Sequence, residues 1–180
     1  MTTQLTSQLL VLPPELPGDL TCCRYALTLL STAHAVTALV SPRHAPLLEG
    51  LSVDLEFLRD RASLAAPPSE SLRRRLPCLT RVVDLHCDAA TASFARAFGC
   101  TTVGVEGDAA SGIHYDVGLA WWLRPGERTH VAVRHARAAE GHEEDVSFDS
   151  TRWTLSHFPP RPVAVRQLVA LCPGSSRAGA

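Results

Sequence analysis

The sequence has no lysine and no asparagine, so its 17 basic side chains are all arginine. It has no cysteine pair at C-x-x-C spacing, which removes the usual signature of a zinc ribbon or a dithiol redox centre. The six cysteines, at 22, 23, 78, 87, 100 and 172, read as reduced thiols of a cytoplasmic protein. The start, MTTQLTSQLLVL, lacks the basic n-region of a signal peptide, and the apolar stretch 20–40 carries Arg24, His34 and several threonines. No membrane span is expected. A formal net charge of −1 leaves no electrostatic case for nucleic acid.

What is present is an ordinary globular balance, 46% hydrophobic and 19% charged, over 180 residues. That length suits one domain, 1–180, able to bury about 70% of its unfolded surface. The first part, 1–80, reads as mainly helical. Asp19 is placed to cap a helix with apolar residues at 26, 27, 29, 30, 33, 36, 39 and 40, stopped by Pro42. A second stripe follows at 47, 48, 51, 55 and 58.

The part from 81 to 175 reads as β-rich. RVVDL suggests a strand, 88–98 a helix stopped by Gly99, and 101–106 a strand. From 112 the period is two: Ile113, Tyr115, Val117, Leu119, Trp121 and Leu123 alternate with polar or small residues, as in a half-buried strand. RPGE at 124–127 carries the Pro-Gly pair of a type II turn, so 128–136 is expected to return antiparallel. Two more strands are expected, in EEDVSFDSTRWTLSH and RPVAVRQLVAL.

Five of the eight histidines fall between 114 and 157. On a strand, His114 and Asp116 share a face about 7 Å apart at the backbone. With one more histidine they complete a two-His-one-carboxylate triad suited to Fe(II). His135 is one candidate, because a hairpin closed at RPGE sets it opposite Asp116, and His142 is another.

The features from 81 to 134 resemble the jumonji-type, cupin-like family of Fe(II)- and 2-oxoglutarate-dependent oxygenases. They are a helix ending in AFGC, a strand, the loop GDAASG, then IHYD, an apolar strand and a GER turn. The resemblance implies an α+β fold, with N-terminal helices packed on a C-terminal antiparallel double-stranded β-helix. It implies an oxidoreductase, a dioxygenase hydroxylating a small molecule or peptidyl side chain. His114, Asp116 and His157 become metal ligands. Arg128, with Arg166 as a second anchor, becomes the 2-oxoglutarate clamp, since a guanidinium pairs bidentately with a carboxylate. A homodimer is compatible with this reading.

Two other readings stand beside it. Cys87 at a helix N-terminus, followed by His130 and Asp149, resembles the Cys-His-Asp order of transglutaminase-like acyltransferases. A non-catalytic cupin-like binding protein is the other. The unit from RVVDL to VGVE also resembles the opening of class I methyltransferases. However, His86, Asp88 and Ala90 replace the loop glycines, and 16 residues from Glu106 to Leu123 leave little room for further βα units.

Overall fold

The computed structural model describes residues 7–105, 113–119 and 131–140. Their organising element is a six-stranded, all-parallel sheet: β1 (Gln8–Leu12), β2 (Ala35–Val40), β3 (Asp54–Phe57), β4 (Leu79–Asp84), β5 (Thr101–Val105) and β6 (Val117–Leu119). The spatial order is β3-β2-β1-β4-β5-β6. Helices α1 (Pro17–Ser31), α2 (Glu70–Arg75), α3 (Ala89–Arg96) and α4 (Val131–Glu140) accompany it, with 3₁₀ segments at Pro42–Leu48 and Arg61–Ala65.

Both faces of the sheet are covered, which is why its central strands read as continuous apolar runs. Along β1 the side chains alternate. Leu9 and Val11 join α1 residues Leu20, Leu27 and Leu30 and α4 residues Ala138 and Ala139 on one face. Leu10 and Leu12 join Leu64, Leu72, Leu76 and Phe94 on the other. The result is three layers, helix–sheet–helix.

This overturns the expected antiparallel double-stranded β-helix with helices packed outside it. Two of the expected helices contain strands. The stripe from 20 to 40 is one helix to Ser31 followed, after a Thr32–His34 turn, by β2. A strand buried on both faces has no polar alternation, so AVTALV extended the helical pattern unnoticed. Likewise β3 sits inside the second stripe. The expected strand over 128–136 is in fact α4 over 131–140, and β6 pairs parallel with β5. By contrast β4, α3 and β5 lie where the strand–helix–strand pattern put them, within a few residues. The RPGE turn and the two late strands fall outside the described residues.

Candidate functional site

In the order 3-2-1-4-5-6 the chain runs one way from β1 to β3 and the other way from β4 to β6. The connections leaving β1 and β4 therefore diverge, and a crevice opens at their carboxyl ends. Ligands of open α/β sheets bind at this point because the chain itself vacates it. Leu85 N–H donates to Leu12 C=O (2.9 Å), holding the two strand ends together beneath the crevice.

The β4–α3 junction closes upon itself. Asp84 is fully buried; its Oδ1 accepts from the His86 and Cys87 N–H groups (2.9 and 3.0 Å), and its Oδ2 from the Tyr115 hydroxyl (2.7 Å). Burial raises the Asp84 carboxyl above its usual range, and these hydrogen bonds pull it part of the way back. Tyr115 lies flat against Gly104, where an added Cβ would come within 2.6 Å of the ring. Cys87 holds a left-handed φ of 58°, and its thiol donates to Asp84 C=O (3.1 Å). Asp88 then caps α3: its Oδ1 accepts from Thr91 N–H (2.8 Å), and Asp88 N–H donates to Thr91 Oγ1 (3.1 Å), a complete capping box. Arg61 forms an ion pair with Asp88 from outside.

The β1–α1 junction is different. It runs Leu12-Pro13-Pro14-Glu15-Leu16-Pro17-Gly18-Asp19. Three prolines remove three N–H donors. Leu16 occupies the cap position of α1 and no side chain caps the helix; Pro17 begins it and Asp19 sits in its first turn. Two half-buried carboxylates lie in this stretch, Glu15 lining the cleft between the junctions and Asp19 in the first turn of α1.

Between the junctions lies a narrow cleft. Its apolar floor includes Leu12, Leu20, Leu39, Leu58 and Leu64; its polar groups are Glu15, Ser41, His44, His86 and Thr91. The free space inside is about 20 Å³, room for a single water-sized group.

The residues singled out by the sequence lie elsewhere. Asp116 just precedes β6; its Oδ2 accepts from Thr102 N–H (2.8 Å) and Oγ1–H (2.9 Å), near the amino end of β5. Those bonds hold its carboxyl below the usual range. His114 is exposed, and its carbonyl accepts from Arg96 (3.0 Å). The pair therefore sits at the amino end of the strands, away from the crevice. His157, Arg128 and Arg166 lie outside the described residues, as do His142, His130 and Asp149. His135 is buried in α4, its Nδ1 3.2 Å from Cys23 Sγ, not opposite Asp116. Among the described residues no three His, Cys, Asp or Glu side chains gather as a metal site. Cys87 shows the reverse of an activated nucleophile: burial, then the neighbouring Asp84, push its thiol up to about 12.

Sequence reasoning passed over Glu15, His44 and His86 as site residues and took Asp19 only for a helix cap. A usable signal existed in LPPELPGD directly after the apolar run QLLVL, a strand–turn–helix start marked by prolines.

No protein-family model matches the sequence, and no curated protein matches it. Solved structures match its fold. A family 9 glycosyl transferase from Veillonella parvula DSM 2008 superposes with a TM-score of 0.53 at 15% identity, over 78% of this chain and 42% of that one. The E. coli heptosyltransferase WaaC, in a structure with ADP, superposes with a TM-score of 0.55 at 14% identity, over 79% of this chain and 49% of that one. The chain thus spans less than half the length of either. No described helix is long and apolar enough to cross a membrane. These neighbours and the parallel sheet overturn the jumonji-type resemblance, and with it the dioxygenase, iron and 2-oxoglutarate assignments and the cupin-like and transglutaminase-like alternatives. What this chain shares with part of each of these two structures is the α/β fold.

Proposed function

We propose that this chain is the acceptor-holding α/β unit of a glycosyl-transfer enzyme, acting as one domain on a small hydroxyl-bearing molecule in a reducing, cytoplasmic setting. The observation that carries the reading is the character of the crevice at the ends of β1 and β4. A nucleotide's phosphates need backbone N–H groups and an open helix N-terminus. Here prolines 13, 14 and 17 remove donors from one junction, and the capping box of Asp88 and Thr91 occupies the other. What remains is the carboxylate of Glu15 on an apolar-floored cleft, with that of Asp19 in the first turn of an α1 that no side chain caps.

Glycosyl transfer asks for that arrangement on the acceptor side. As the acceptor oxygen forms its bond to the anomeric carbon, the bond from that carbon to the nucleotide's phosphate oxygen breaks. The nucleoside diphosphate leaves with the electron pair, and the acceptor's proton passes to a carboxylate of the β1–α1 junction. Glu15 and Asp19 are the two that can take it. The five described cysteines are all free thiols, which suits the compartment.

The test is acceptor-dependent release of nucleoside diphosphate from a panel of nucleotide sugars. Asp19→Asn or Glu15→Gln is expected to lower kcat by about 10²–10⁴-fold with KM for the donor unchanged. Tight ADP binding that shifts the Gly18 and Asp19 amide resonances would overturn the acceptor assignment.

A further inference from the structure

A cavity of about 520 Å³ opens at the amino ends of the strands, the end of the sheet opposite the crevice. Leu29 and Leu30 from the last turn of α1, His34 ahead of β2, Arg81 of β4 and Ala139 of α4 are among its walls. Arg81 stands in register with Leu9 of β1, so alternation places its side chain on the sheet face covered by α1 and α4. Other arginines spend their guanidinium inside the protein. Arg24 donates to the Leu47 and Glu49 carbonyls, Arg61 to Asp88, Arg75 to Glu56 and Arg96 to the His114 carbonyl. Arg81 forms no hydrogen bond or ion pair with any described residue. Arg43 and Arg59 form none either, but both are exposed, whereas Arg81 is half-buried beside a cavity.

The end of α1 does not occupy these donors. Leu29 C=O accepts from Thr32 N–H (3.1 Å), and Leu30 C=O from Ala33 and His34 N–H (3.2 and 3.0 Å). His34 Nδ1 lies 2.6 Å from Ser7 Oγ in a hydrogen bond that orients the ring. With the hydroxyl donating, Nε2 carries the ring proton and becomes a second donor. No carboxylate lines the cavity among the described residues, so the pair favours an oxyanion. Two helix ends limit its charge. Both α1 and α4 terminate on this side, and the partial negative charge at their carboxyl ends opposes a dianion. One guanidinium grips one carboxylate bidentately. Leu29, Leu30 and Ala139 offer apolar contact for a few carbons, within a volume ordinary for a small-molecule site. We infer that this cavity binds a small aliphatic monocarboxylate, its carboxylate on Arg81 and His34 and its carbon chain against α1 and α4. The site lies at the other end of the strands from Glu15 and needs nothing from the glycosyl-transfer reading.

The test titrates the full chain with sodium butyrate, sodium acetate, 1-butanol and inorganic phosphate, following the Arg81 side-chain and His34 imidazole resonances. Saturable shifts of both are expected with butyrate. Acetate, shorter by two methylenes, is expected to bind about tenfold more weakly. Butanol and phosphate leave both signals in place. Unmoved resonances, equal affinity for acetate and butyrate, or shifts driven by butanol or phosphate would each overturn the site. Arg81→Gln is expected to abolish butyrate binding while leaving the circular dichroism unchanged; retained binding removes Arg81 and the proposal with it. Where Arg81→Gln fails to fold, Arg81→Lys keeps the charge and loses the planar fork. It is expected to bind butyrate about tenfold more weakly, and an unchanged affinity would refute the bidentate grip.

Discussion

The two junctions at the switch point solve the same problem in opposite ways. Each takes the chain from the carboxyl end of a central strand into a helix. After β4 the side chains close on the turn itself: Asp84 accepts three hydrogen bonds, Cys87 donates to Asp84 C=O, and Asp88 and Thr91 cap α3 reciprocally. After β1 nothing of the kind occurs; prolines set the backbone, Leu16 stands 56% exposed at the cap position, and Glu15 and Asp19 point no hydrogen bond back into the turn. A rigid, self-satisfied turn beside an unsatisfied one gives a site a fixed wall and a chemically available one. Catalytic groups are expected on the second, and residues that position them on the first.

Breaking the closed junction should have the largest effect. Asp84→Ala strands the His86 and Cys87 N–H groups and the Tyr115 hydroxyl in the core, and is expected to cost about 3 kcal/mol or more in urea unfolding. A folded carboxyl raised by burial contributes stability that is full below the unfolded value of about 4 and is lost as pH rises through the raised value. Asp84→Asn should therefore flatten stability across that window, and an unchanged pH slope would show that Asp84 does not titrate there.

Gly104→Ala comes next. Its Cβ would meet the Tyr115 ring at 2.6–2.8 Å, so the ring must leave Asp84, at about 1–3 kcal/mol. The discriminating readout is the Tyr115 environment by near-ultraviolet circular dichroism, which a strain confined to β5 would leave alone.

Asp88→Ala removes the α3 cap at about 1 kcal/mol. The sign with pH is opposite to that of Asp84. Burial pushes Asp88 up, but the Thr91 N–H and Arg61 outweigh it and hold the carboxyl low, so its contribution is present above about pH 4 and lost on further acidification. Stability curves of the variant and the parent should converge at low pH.

The smallest effect sharpens the contrast rather than breaking it. Leu16→Ser gives α1 the side-chain cap it lacks and should stabilise by about 0.5–1 kcal/mol. If the β1–α1 junction is the available wall, turnover in the glycosyl-transfer assay falls as its helix end becomes satisfied. A gain in stability with undiminished turnover would separate the two properties.

Legibility followed the kind of signal each segment carries. The segment from β4 to β5 was readable because its boundaries are written in local chemistry: the Asp88 cap, the apolar face of α3 and Gly99 at φ 73° after it. β2 was not, because a strand covered on both faces has the composition of a helix interior and no Gly or Pro separates it from α1. The alternation from Ile113 to Leu119 was real as far as it is described, since β6 does form, but alternation cannot say whether the partner runs parallel or antiparallel. His114 and Asp116 share a short stretch of chain and drew a metal reading; the structure turns Asp116 to Thr102 instead.

By itself the sequence determined that the core would be large and apolar and that β4, α3 and β5 would follow one another; it misplaced the start of α1, where Leu16 and not Asp19 takes the cap position. The features it determined depend on interactions within a few residues, which spacing and composition encode directly. Strand order was decided only in the tertiary structure, as were the reversal between β1 and β4 and the meeting of Glu15, His44 and His86 at one cleft. Those residues are tens of positions apart in sequence. Only burial of both sheet faces, a property of the whole chain, brings them to one place.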